Sequence, residues 1–188
     1  MTTETLISIF LGIGLAASVG FRIFLPLFAL SLASYFNIWE LNESWEWIGG
    51  TIALWILGIA TVVEIFAYYI PYIDNILDTI AVPLAAIAGT AVMVSTVAEL
   101  SPAITWALAI IAGGGTAVAI SGASGATRLS STITTAGFGN PVISTVETGT
   151  SIFMSLISIF LPVIAVILVA IVLFIIFRFY KKIKQPNT

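Results

Sequence analysis

Ala17-Ser18-Val19-Gly20-Phe21-Arg22-Ile23-Phe24-Leu25-Pro26 is the stretch whose reading decides the fold. It lies inside an apolar run, Leu6 to Leu32, that otherwise reads as one membrane-spanning helix. Into that run it puts a permanent positive charge, a glycine and a proline. A charged side chain at bilayer depth costs about 3 kcal/mol on insertion scales, so it faces protein or trapped water. Arg22 therefore needs an acidic partner, backbone carbonyls or an anionic ligand. Gly20 and Pro26 mark a place for the helix to kink or break.

The rest of the chain has the same character. Of 188 residues, 60% are hydrophobic and only 8% charged, against about 25% charged in a soluble domain. So little polar surface cannot cover a globule in water, and the composition specifies an integral membrane protein. Six apolar segments can be drawn: Thr5–Phe36, Ile48–Ile70, Ile73–Ala98, Pro102–Gly125, Val142–Ile159 and Leu161–Tyr180. Each is near the roughly 20 residues that span a bilayer. The expected fold is a single all-α polytopic domain over residues 1–188 with about six transmembrane helices. Helix breaks are expected near Gly20 and near Ser121–Gly125, the latter in a polar stretch of small residues.

Charge placement sets an orientation. Arg178, Lys181, Lys182 and Lys184 gather in the basic tail, residues 181–188 and the helix end before it. The positive-inside rule puts that tail in the cytoplasm, and six crossings bring the N-terminus to the same side. The loop with Glu40, Glu43 and Glu46 then lies outside, with Trp39, Trp45 and Trp47 at the interface. The N-terminus lacks the basic region of a signal peptide, so the first segment is read as retained.

The chain has no cysteine and no histidine. That removes disulfides, thiolate or imidazole metal sites and every Cys- or His-based catalytic arrangement. No metal, no cofactor and no enzymatic activity are expected. With no basic patch interleaved with aromatics, nucleic-acid binding is not expected either. The partners that remain are the lipid bilayer, a small anion or lipid headgroup, and a second copy of the chain, since a homo-oligomer would help so small a protein enclose a cavity.

Two pieces of sequence recur. Ala17-Ser18, three residues, then Arg22 is matched by Ala123-Ser124, three residues, then Arg128. Thr61-Val62-Val63-Glu64 is matched by Ser144-Thr145-Val146-Glu147. Three crossings separate the copies, so residues 5–98 and 102–180 would form two inverted three-helix halves, an arrangement that places transporter sites near the midplane.

Arg22 and Arg128 are the sharpest candidates. In one reading the two guanidiniums face an internal cavity and grip an anion, with Ser18, Ser124 and Gly20 beside them. In the other they form structural ion pairs with Glu64 and Glu147 that tie helices together. Glu64, Glu147, Asp74 and Asp78 are the candidates for gating or proton relay. Asp74 and Asp78, four apart, share one helix face, and Asp74 also suits a helix N-cap. Gly113-Gly114-Gly115 reads as a site of close backbone approach rather than a phosphate loop. In Gly139-Asn140-Pro141, Asn140 is expected to cap the next helix. Leu161–Tyr180 reads as a lipid-facing helix with an interfacial anchor.

Three blocks recur in order and spacing in a known family: Gly20-Phe21-Arg22-Ile23-Phe24-Leu25-Pro26-Leu27; Glu64 followed by Ile70-Pro71-Tyr72-Ile73-Asp74-Asn75-Ile76-Leu77-Asp78; and Gly139-Asn140-Pro141-Val142-Ile143-Ser144. Over nearly its whole length the chain resembles the bacterial membrane family of the domain of unknown function 4126. That resemblance implies a small polytopic inner-membrane protein and no particular activity. The chain departs from the family at Tyr68-Tyr69, at Ser121 to Gly125 and at Thr148, where relatives often carry charged residues.

The leading functional expectation is transport or flipping of a small anionic solute or lipid headgroup. The alternative is a scaffold or accessory subunit whose intramembrane charges are locked in pairs.

Overall fold

The computed structural model describes residues 2–98 and 100–184, apart from the side chains of residues 71, 183 and 184. The expected Glu99–Ser101 turn and the end of the 181–188 tail fall partly outside these residues. The described chain is helical, with no strand. Helix α1 spans Thr3–Val19 and α2 spans Phe24–Tyr35; a 3-10 segment, Glu43–Gly49, leads into α3, Thr51–Ala67. Then come α4 (Pro71–Thr96), α5 (Pro102–Leu108), a π-helical segment (Ala109–Gly114), α6 (Gly115–Thr135), α7 (Asn140–Phe160) and α8 (Pro162–Lys184).

Four helical stretches are long and apolar enough to cross a membrane: Tyr72–Thr96, Pro102–Thr135, Asn140–Phe160 and Pro162–Lys182. There are five if the 3-10 segment and α3, bent by 62° to each other, count as one. The first segment is divided. α1 has 17 residues and α2 has 12, lengths of about 25 and 18 Å at 1.5 Å per residue. Each alone is shorter than the roughly 30 Å hydrocarbon layer.

The break falls at Gly20–Ile23. The Gly20 and Arg22 amides still donate to carbonyls of the last turn of α1. The glycine matters for contact rather than for dihedral freedom: its φ is −61°, and a Cβ added there would sit 2.5 Å from the Cβ of Ile120. Pro26 falls in the first turn of α2, where its missing N–H has no intrahelical partner to lose.

α1 is the central post, packed against α2, α4, α6, α7 and α8. Leu11, Leu15, Ala16 and Val19 on it are fully enclosed. α4 lies against α1, the π segment and α6. Glycines let the backbones approach closely there: a Cβ on Gly113 would lie 2.6 Å from the Gly89 carbonyl oxygen. α8 is outermost: among its described side chains only Ala165 and Val169 are buried, while Phe174, Phe177, Phe179 and Tyr180 are exposed.

One expected break is corrected. α6 runs without interruption through Ser121–Gly125 to Thr135. The irregular turn lies earlier, at Ala109–Gly114. The hydroxyls of the polar stretch do not require a break, because they are satisfied within the helix: Thr127, Ser130, Thr134 and Thr135 each donate to the carbonyl four residues before. No water is needed to satisfy them.

A buried charge cluster at the helix break

The break between α1 and α2 delivers Arg22 into the interior, where it is 1% exposed. All five of its N–H groups find acceptors. Nε donates to Thr148 Oγ1 at 3.0 Å. Nη1 donates to the Phe21 carbonyl and to Glu147 Oε2, both at 3.2 Å. Nη2 donates to the Ser144 carbonyl at 2.9 Å and the Ser144 hydroxyl at 2.7 Å. Except for Phe21, every one of these acceptors belongs to α7.

Arg128, on the inward face of α6, is 2% exposed. Its guanidinium bonds Glu147 and Asp74 at short range. Nε also reaches both Glu147 oxygens, at 3.2 and 3.1 Å, and lies 3.8 Å from Asp78 Oδ1. Glu147 Oε2 and the Ser144 hydroxyl are therefore each shared by both arginines. The two guanidinium carbons lie 4.0 and 4.4 Å from the centre of the Tyr68 ring, within cation–π range. Tyr68 itself is 6% exposed.

Glu64 is buried but forms no ion pair with Arg22 among the described residues. Its carboxylate instead accepts the backbone N–H groups of Ile23 (2.7 Å) and Phe24 (3.0 Å). These amides were freed by the break, and their helix end favours a negative charge. The Arg22–Glu64 ion pair is thus replaced by a helix cap, and Arg22 turns to Glu147.

Of the other sequence candidates, Ser124 donates to Glu147 Oε1 and belongs to the cluster. Ser18 does not: it bonds Ser151 and Ser155 of α7, at 2.8 and 2.7 Å, away from the guanidiniums. Gly20 serves the contact with Ile120. Asp74 is no N-cap; that position falls to Ile70, and Asp74 lies buried against Arg128. Asn140 does not cap α7 either. Its Nδ2 donates to Asp74 Oδ2 and Thr132 Oγ1, both at 3.0 Å.

Sequence reasoning missed Tyr68, Ser144, Thr148 and Asn140 as members of the cluster. Three of them carried a signal: Asn140, Ser144, Glu147, Ser151, Ser155 and Ser158 recur every three or four residues along α7, with Thr148 next to Glu147 and four residues after Ser144. In an apolar helix such a stripe marks the face turned toward other helices.

Two guanidiniums thus meet three carboxylates, those of Glu147, Asp74 and Asp78, while Glu64 sits on the α2 amides beside them. Beside them lies a cavity of only about 10 Å³, bounded by Gly20, Arg22, Tyr68, Asp78, Arg128 and Glu147 among others. It is at the lower limit for a single water. The cluster is closed, with Glu147 seated between the two guanidiniums. No group of three or more candidate metal ligands occurs among the described residues.

A family model described as Domain of unknown function (DUF4126) matches residues 9–182. No curated protein and no solved structure matches the chain.

Proposed function

The chain belongs to the DUF4126 family, and we propose that this member moves a small anion or an anionic lipid headgroup across the membrane. The observation that carries the reading is the sharing of Glu147 Oε2 by Arg22 and Arg128. Two guanidiniums converging on one carboxylate oxygen form a ready-made anion site, and Glu147 is its tethered occupant. If Glu147 swings away from the two guanidiniums, an external carboxylate or phosphate can take its place. The surplus of carboxylates around the cluster fits a site that exchanges protons along with its anion. Asp78, partly exposed and only 3.8 Å from Arg128, is the natural point of proton entry.

The membrane arrangement that goes with this reading has six crossings, with the α1–α2 pair counted as one and both termini in the cytoplasm of a bacterial inner membrane. Two inverted halves fit the recurrence of a serine four residues before each arginine, Ser18 before Arg22 and Ser124 before Arg128. A homo-oligomer would widen the enclosed space. We propose no reaction and no cofactor.

A second reading has its own support. Every N–H of Arg22 is already satisfied inside the protein, as a purely structural clasp requires, and in that case the chain is a scaffold or accessory subunit. Flux of radiolabelled phosphate into liposomes carrying the purified protein separates the two. Transport predicts flux in wild type, loss in folded Arg22→Gln and Arg128→Gln, and altered proton dependence in Glu147→Gln. No phosphate flux and no flipping of phosphatidylglycerol in wild type, with the arginine variants merely less stable, rejects the transporter reading.

A further inference from the structure

We propose that the cleft between α3 and α4 is a side entrance from the bilayer that takes one acyl chain of an anionic lipid, with the headgroup phosphate directed to Arg22 and Arg128 behind Tyr68. This rests on the anion-site reading above and narrows its substrate to a lipid.

α3 stands apart from the bundle. It packs on α2 and the 3-10 segment and makes at most marginal contact with α4. Its inner end is pinned by Glu64 at the start of α2 and by a 2.8 Å hydrogen bond between Tyr69 and Thr145 of α7. Between these attachments and α4 lies a cleft of about 410 Å³, a volume ordinary for a ligand site. Ile56, Ile59 and Val63 form one wall and Leu77, Ile80 and Leu84 the other. Such a lining takes hydrocarbon and repels a hydrated ion, which would lose its water with nothing in exchange.

The inner end of the cleft has the opposite chemistry. Ile23 and Tyr68 line both the cleft and the small cavity that holds Arg22, Arg128 and Glu147. Tyr68 is thus the partition, with hydrocarbon-lined space on one side and two guanidiniums within 4.4 Å of its ring centre on the other. The N-terminus of α2 cannot capture the headgroup, because Glu64 already occupies it. An apolar slot ending one ring's thickness from a pair of arginines matches an amphiphile, tail outward and anion inward. A soluble anion needs no such slot.

The test uses the full chain in phosphatidylcholine nanodiscs containing phosphatidylglycerol, followed by native mass spectrometry and, in parallel, binding of inorganic phosphate. Ala60→Phe fills the cleft from α3 and Ile80→Trp fills it from α4, so that one variant serves if the other misfolds. Wild type should retain phosphatidylglycerol over phosphatidylcholine by about ten-fold or more, and a folded cleft-filling variant should lose that preference while still binding phosphate. Phosphate binding without lipid retention in wild type overturns the lipid assignment and leaves the anion site standing. Lipid retained equally whatever its headgroup, or unaffected by both cleft fillings, also overturns it. Neither ligand bound removes the anion site and the lipid entrance together.

Discussion

Replacing Arg22 by glutamine, alone and with each candidate acidic partner, tests which carboxylate the arginine answers to. The single substitution removes one charge-assisted bond, to Glu147, worth about 1.5–3 kcal/mol. Arg22 also donates four bonds to uncharged acceptors. Glutamine, with two N–H groups, can keep two of them, and the loss of the others adds roughly 1 kcal/mol at about 0.6 kcal/mol each inside a membrane. Arg22→Gln should therefore destabilise by about 3 kcal/mol. The cycle with Glu147→Gln should show a coupling of about 1.5–3 kcal/mol, because the two side chains touch. The cycle with Glu64→Gln should stay below about 0.5 kcal/mol, because Glu64 engages the amides of residues 23 and 24 and not the guanidinium. Reversible unfolding in mixed micelles, followed by tryptophan fluorescence, gives all the corners. A coupling to Glu64 as large as that to Glu147 would refute the assignment.

Other substitutions probe other contacts. Arg128→Gln should cost more than Arg22→Gln in the same unfolding assay, because it leaves both Glu147 and Asp74 short of their counter-charge, and breaking a buried pair costs about 3–5 kcal/mol. Asn140→Asp should destabilise by at least about 2 kcal/mol, since it sets a second carboxylate where Nδ2 now donates to Asp74; Asn140→Ser should be milder, and equal losses would discount the Asp74 contact. Gly20→Ala should cost about 1–3 kcal/mol through overpacking on Ile120, and Ile120→Ala should recover part of it in the double variant. Trp39→Phe removes the 2.9 Å bond from Nε1 to the Ile159 carbonyl and should lower stability by about 1 kcal/mol.

Much of this architecture was legible in the chain, for identifiable reasons. The membrane setting follows from composition, and the break near Gly20 follows from a glycine, a charge and a proline within seven residues. The pairing within the cluster was harder to read. Glu64 and Glu147 are equally plausible partners for Arg22 by residue type, and the choice depends on where α7 lies, a tertiary matter. Helix termini misled in two places: Asp74 and Asn140 have good capping chemistry, yet both side chains turn inward to Arg128 and to each other. At Ser121–Gly125 glycine and serine suggested a break. The glycines there meet no neighbouring backbone, and the hydroxyls just beyond are satisfied inside α6, which stays continuous. Tyr68 gave no signal at all, because a tyrosine near a helix end reads as an interfacial anchor until its ring is found against two guanidiniums.

The span of chain between Arg22 and its acceptors has a consequence for biosynthesis. Glu147 is synthesised 125 residues after Arg22, and all but one of the arginine's acceptors arrive only with α7. At about 5–20 residues per second, the first helices wait roughly 6–25 seconds with an uncompensated cation. During that interval the unpaired arginine lowers the preference of α1 and α2 for hydrocarbon by about 3 kcal/mol. A nascent chain stalled before Asn140 should be extracted from the membrane and degraded, whereas completion of α7 locks the early helices in place.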